Sequence, residues 1–322
     1  MASDTTGSTK KSGEGRSTPA VVHSVLEDPY DSLRCGRWHR AAETVEVGPA
    51  RLNLIDRNRR EEAAHRELGS CQAAMEERDK LLRLLQRGFL PPRLPQIEGV
   101  GLAARYLPMD ASTGGDFYDV FPLENGSWGI MLGDVCGKGA AAASTAALAR
   151  YTVRVAALAE LEPAAALELL NQALLTVDSD VDSRFCTAIF AHLEICRPMV
   201  SLRVAAAGHP PVFVLRSDGT LEAHGPTGPL LGVLDLVMID EQVINLCPGD
   251  ACVAYTDGAT DVRHDGDTFG DARLAELVSS CRSMSAEAIA SQVERVVVGF
   301  QRGDMRDDFA LVVLAIPPRD VR

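Results

Sequence analysis

The chain has 322 residues, 46% of them hydrophobic and 24% charged, with a net charge of −13 and a pI of about 5.0. That balance belongs to a globular chain, and it excludes duplex nucleic acid as a partner, because displacing phosphate counterions needs a basic face. No apolar run approaches the roughly 20 residues of a membrane helix, and the opening residues lack the apolar core of a secretory signal, so a cytoplasmic protein with no membrane span is expected.

Residues 1–20, rich in Gly, Ser and Thr, read as a disordered tail, and 21–56 show no periodicity and stay unassigned. Residues 57–90 lack proline and are dense in the good helix formers Glu, Arg, Ala and Leu. Within them Ala64, Leu68, Cys71, Met75, Leu82, Leu85 and Phe89 recur at steps of three and four, interrupted by Arg78. This is a seam of about three heptads. It fits a helical linker packed on its own domain and a parallel homodimeric coiled coil equally well. Pro91, Pro92 and Pro95 end the helix.

From 91 to 318 short strands and helices predict one α+β domain. Strands are expected at 101–106, 127–134, 187–195, 200–206, 212–216, 241–246, 251–255 and 309–315, separated by turn signals such as Ser217-Asp218-Gly219. Helices are expected at 140–161, 163–177, 271–280 and 286–300, with Pro163 suited to a first helical position. Eight cysteines without a C-x-x-C pair read as buried thiols rather than zinc ligands.

Four segments place acids beside glycine or a second acid at strand edges. They are Gly114-Gly115-Asp116-Phe117-Tyr118-Asp119, Gly133-Asp134-Val135-Cys136-Gly137-Lys138-Gly139, Tyr255-Thr256-Asp257-Gly258 and Arg306-Asp307-Asp308. Any one of them is ordinary turn chemistry. Together they describe a hard, all-oxygen site suited to Mg²⁺ or Mn²⁺, because clustered carboxylates repel unless cations lie between them. A pair of such ions would activate water and neutralise a phosphoryl group.

The ordered series of segments resembles the SpoIIE/RsbU-type branch of the PPM metal-dependent protein serine/threonine phosphatases. It opens at Leu85-Gln86-Arg87-Gly88-Phe89-Leu90-Pro91-Pro92 and passes through the first two acidic segments. Phe185-Cys186-Thr187-Ala188, Ala207-Gly208-His209-Pro210-Pro211 and Gly228-Pro229-Leu230-Leu231-Gly232 follow, and Asp257 and Asp307-Asp308 close it. The resemblance implies a PPM-type α-β-β-α sandwich and a site of two Mn²⁺ or Mg²⁺ ions. Asp116 would bind one ion, Asp134 would bridge both with the Val135 carbonyl joining it, and Asp257 and Asp307 would complete the other. Asp119 and Asp308 are further candidates, for a third ion or for orienting water. A phosphorylated anti-sigma-factor antagonist is the implied substrate, with the 57–90 helix as a dimerising gate.

Two features depart from the family pattern. Ala310 stands where a threonine is common, and Ala111 where eukaryotic relatives carry a phosphate-binding arginine. Arg105 reads as a surface charge rather than a clamp, His209 as a turn residue rather than a general acid, and Lys138 as either phosphate-facing or solvated. A diguanylate cyclase fits poorly, since Phe117-Tyr118 stands where its Gly-Gly-Asp hairpin needs an acid. A non-catalytic phosphoprotein-binding module of the same fold is the remaining alternative.

Overall fold

The computed structural model describes residues 93–109, 114–177, 185–225, 228–301 and 307–318, residues 90 and 91, and helical positions at 65, 68–70, 72, 73 and 75. The expected tail 1–20, the segment 21–56 and most of the 57–90 helix, with the dimer seam, lie outside the described residues. So do Ala111 and Arg306. Leu68 and Met75 of the seam are described and exposed.

Of the two units into which the chain divides, Ala73–Arg322 holds every described strand. β1 (Gly101–Leu107), β12 (Phe309–Ala315), β9 (Ala251–Tyr255), β6 (Val212–Leu215) and β7 (Leu221–His224) lie in that order in one antiparallel sheet. β2 (Phe117–Pro122), β3 (Trp128–Val135), β4 (Cys186–Cys196), β5 (Met199–Ala207) and β8 (Glu241–Leu246) form the second. A two-stranded ribbon, β10 (Arg263–His264) and β11 (Asp267–Thr268), completes the strands.

Alternation along the strands explains the layering. Ala310, Val312 and Leu314 of β12 face Ile130 and Leu132 of β3 and Ile189 of β4 in a core between the sheets. The intervening Phe309, Leu311 and Val313 face outward, against Ile289, Val293 and Val297 of α4 (Ala286–Gln301) and Leu274 of α3 (Gly270–Ser279). On the other side Phe117, Met131 and Phe190 pack under Ala146, Ala149 and Val153 of α1 (Ala140–Leu158) and Leu167 and Leu170 of α2 (Pro163–Leu175). Central strands are therefore apolar on both faces, and the domain is an α-β-β-α sandwich. Each fully buried Leu or Phe contributes about 1.5–3 kcal/mol.

All eight expected strands and all four expected helices of this domain form, with ends shifted by a few residues. β2, β7 and the short ribbon β10–β11 were not anticipated. β7 is a short, half-polar strand held by pairing with β6. β2 carries Asp119 and ends in Pro122, a poor strand pattern by itself.

Asp119 also corrects an expectation. Its side chain is buried, and its Oδ2 accepts from Arg150 Nε at 2.8 Å and Arg154 Nη1 at 3.1 Å, pinning α1 to β2. The carboxylate is engaged by two arginines and does not join the other aspartates. Arg150→Ala would leave a buried acid facing only the half-exposed Arg154. A stability loss of about 3 kcal/mol is expected in urea unfolding, while Tyr151→Ala on the exposed face of α1 should change little.

Candidate metal centre

The two sheets bring four aspartates to one end of the sandwich. Asp116 stands immediately before β2 and Asp134 near the end of β3, and the register Phe117 opposite Gly133 makes them neighbours across the second sheet. Asp257 follows β9, and Asp307 lies two residues before β12, the strand paired with it in the first sheet.

Asp308 ties the two halves together. Its Oδ2 accepts from the Gly115 N–H at 2.8 Å and its Oδ1 from the Met109 N–H at 2.8 Å. A carboxylate holding two backbone N–H groups is a strong, oriented acceptor. Its position fixes the loop leading into β2 against the start of β12. Asp308 was a candidate for a third ion, and here both its oxygens are engaged by the backbone. Behind it, the Thr256 hydroxyl donates to Asp116 Oδ2 at 2.7 Å and accepts from the Ala310 N–H at 2.9 Å. A hydroxyl therefore does stand beside position 310, supplied from the end of β9. Thr256 lay in plain view in the third acidic segment, but nothing in the sequence assigned it this role.

The electrostatics follow from crowding. Burial, and then the charge of Asp134, push the Asp116 carboxyl well above the usual carboxylate range, against the opposing pull of the Thr256 hydroxyl. Asp134 is pushed up to about 7 by burial and by Asp257 and Asp307. Burial and then Asp307 raise Asp257. Burial raises Asp308 in spite of its N–H donors. Four carboxylates that resist each other's ionisation lack a positive partner.

The donor set fits a hard divalent cation. A Cβ on Gly115 would strike the Val135 carbonyl oxygen and lie 2.8 Å from Asp134 Oδ1, so both oxygens face one point that only glycine leaves open. Among the described residues, no three His, Cys, Asp or Glu side chains are already drawn into a cage. The fit rests on the facing oxygens and on the opposed ionisation.

Other candidates are placed elsewhere. Arg105 is held by Glu294 at 2.8 Å, by Ser291 at 2.7 Å and by Glu287 on α4, so it is no phosphate clamp. The His209 ring is buried and pushed down to about 3 by that burial, with Nδ1 at 3.0 Å from the Thr187 hydroxyl. It is neutral at physiological pH and does not act as a general acid. Lys138 is exposed and lines a cleft of about 170 Å³ together with Asp134, Asp307 and Asp308.

The profile of the SpoIIE family (Stage II sporulation protein E) matches residues 124–317. The chain belongs to the SpoIIE family. Among relatives of this SpoIIE chain, Protein IcfG of Synechocystis sp. is 29% identical over 261 residues, covering 72% of this chain and 40% of IcfG. Phosphoserine phosphatase RsbU of Bacillus subtilis is 26% identical over 300 residues, 92% of this chain and 84% of RsbU. The chain thus spans two fifths of one relative and most of the other. The solved RsbU and RsbW domains of Rv1364c from Mycobacterium tuberculosis align with TM-score 0.59 and 26% identity, over 70% of this chain and 62% of that one. The SiaA-PP2C domain of Pseudomonas aeruginosa aligns with TM-score 0.65 and 21% identity, over 76% and 98%. The sandwich of this SpoIIE-family chain is therefore of the PP2C (PPM) type.

Gly115→Ala is expected to push the loop off β3 and break the bond from Val135 N to the Gly115 carbonyl, 3.2 Å long here. Hydrogen exchange should show faster exchange of the Val135 amide with the two sheets otherwise protected.

Proposed function

We propose that this SpoIIE-family chain is a metal-dependent protein serine/threonine phosphatase, hydrolysing phosphoserine or phosphothreonine on a regulatory protein. The observation that carries this reading is the convergence of Asp116, Asp134, Asp257 and Asp307 from two sheets, with the ionisation of Asp116, Asp134 and Asp257 opposed by burial and by neighbouring carboxylates. Family membership supports it, as does a relative named as a phosphoserine phosphatase. Asp116, Asp134, Asp257, Asp307 and the Val135 carbonyl would hold two Mn²⁺ or Mg²⁺ ions. Such ions, when bound, supply an activated water and neutralise phosphoryl oxygens.

The chain's own residues do the rest. Asp308 sets the loop that carries Gly115 and Asp116. The Thr256 hydroxyl fixes one oxygen of Asp116 and so aims the other. A cleft of about 170 Å³ is small for a free cofactor-sized ligand, for which roughly 300–1,000 Å³ is usual, and suits a phosphorylated side chain presented on a protein surface. An RsbU domain joined to an RsbW domain in the Mycobacterium tuberculosis protein supports a partner-switching phosphoprotein, an anti-sigma-factor antagonist, as the substrate. Pairing of two chains through 57–90 would cover Leu68 and Met75, which the single chain leaves exposed.

Hydrolysis of an aryl phosphate and of a phosphoserine protein should require Mn²⁺ or Mg²⁺ and fall at least about 100-fold in Asp134→Ala. Full activity in that variant would refute the ligand assignment. A silent wild type that binds no ion in calorimetry would leave the phosphoprotein-binding module. Thr256→Val should weaken Mn²⁺ binding by about 10–100-fold in calorimetry, and Thr256→Ser should preserve it.

A further inference from the structure

We propose that Lys138 is the substrate-binding residue that holds the phosphate, its ammonium poised across the cleft on the sulfur of Met109. This deepens the phosphatase reading and rests on it. Three observations carry it. First, among the described residues Lys138 is the only basic side chain lining the cleft that also exposes Asp134, Asp307 and Asp308. The other arginines of interest are engaged elsewhere, Arg105 by acids and a serine on α4, Arg150 and Arg154 by Asp119.

Second, the ammonium pairs with none of these carboxylates. Its described partner is Met109 Sδ at 3.2 Å. A thioether is a weak acceptor and an ammonium carries three donors, so the contact orients the group and leaves most of its capacity for an anion. Met109 is itself set by Asp308, which accepts from its N–H at 2.8 Å. The carboxylate that positions the loop before Asp116 thus also positions the seat of Lys138.

Third, the charge balance calls for such a group. Asp116, Asp134, Asp257, Asp307 and Asp308 are five carboxylates, so two divalent ions leave no surplus positive charge with which to attract a phosphate dianion. One ammonium at the rim places a positive group where the phosphate would enter. Lys138 stands between Gly137 and Gly139, both at positive φ (103° and 79°), in the turn that joins β3 to α1.

The test compares wild type, Lys138→Met and Lys138→Arg with a phosphoserine peptide and Mn²⁺, measuring KM, kcat, inhibition by inorganic phosphate, and Mn²⁺ affinity by calorimetry. In Lys138→Met, KM and the phosphate inhibition constant should rise together by about tenfold to a hundredfold. Mn²⁺ affinity should hold and kcat change less, with Lys138→Arg restoring most of the loss. If KM and phosphate inhibition do not move while the wild type turns over, the clamp is wrong and the phosphatase reading stands. If Mn²⁺ affinity rises in Lys138→Met and accounts for the kinetic change, Lys138 acts on the carboxylates and the clamp is again wrong. A wild type without turnover at saturating Mn²⁺ removes the phosphatase reading and the clamp with it.

Discussion

The carboxylate of Asp308 joins segments 193 and 199 positions apart, holding the N–H groups of Gly115 and Met109 from the start of the last strand. Three parts of the site are placed relative to that junction. Asp116 follows the first N–H, Lys138 rests on the residue that carries the second, and Asp307 precedes the carboxylate itself. The bonds cross from one sheet to the loop entering the other, so they also set how far apart the two halves of the aspartate cluster stand.

A cluster of this kind works against folding. Each carboxylate raises the free energy of its neighbours' charged forms, in a molecule whose total stability is of order 5–15 kcal/mol. The opposing strength comes from three apolar cores packed between the four layers. β12 is buried along its whole length, and the two outer helix pairs seal the sheets. Stiff strand ends then hold the carboxylates close where flexible loops would let them separate. Under the phosphatase reading, cations that bind only the folded chain return part of this cost by mass action.

Sequence reasoning reached the layers and the aspartates for a physical reason. Strand alternation and acid-glycine turns are local patterns, so 127–134 and 251–255 were legible as strands and Asp134 and Asp257 as acids at their ends. What it missed depends on contacts between distant residues. Asp119 reads like the acids around it until Arg150 and Arg154, 31 and 35 positions later, are folded onto it. Ala310 is a departure from the family pattern in sequence, and the backbone pairing that brings the Thr256 hydroxyl beside it is visible only in three dimensions. Asp307 and Asp308 are adjacent and chemically identical, and only the fold shows that Asp308 is the one whose oxygens reach the distant Gly115 and Met109 N–H groups.

The central place of β12 bears on the order in which the protein is made. β12 lies between β1 and β9, both translated before it, so β1 cannot join the first sheet until residues 309–315 leave the ribosome. Until then β1 has no partner, Gly115 has no Asp308, and the acids already synthesised have no fixed relation to one another. The acid cluster therefore has no organised centre in the interval between the synthesis of β1 and that of β12. The unpaired β1 and β9 edges are exposed over that interval to pairing with other chains.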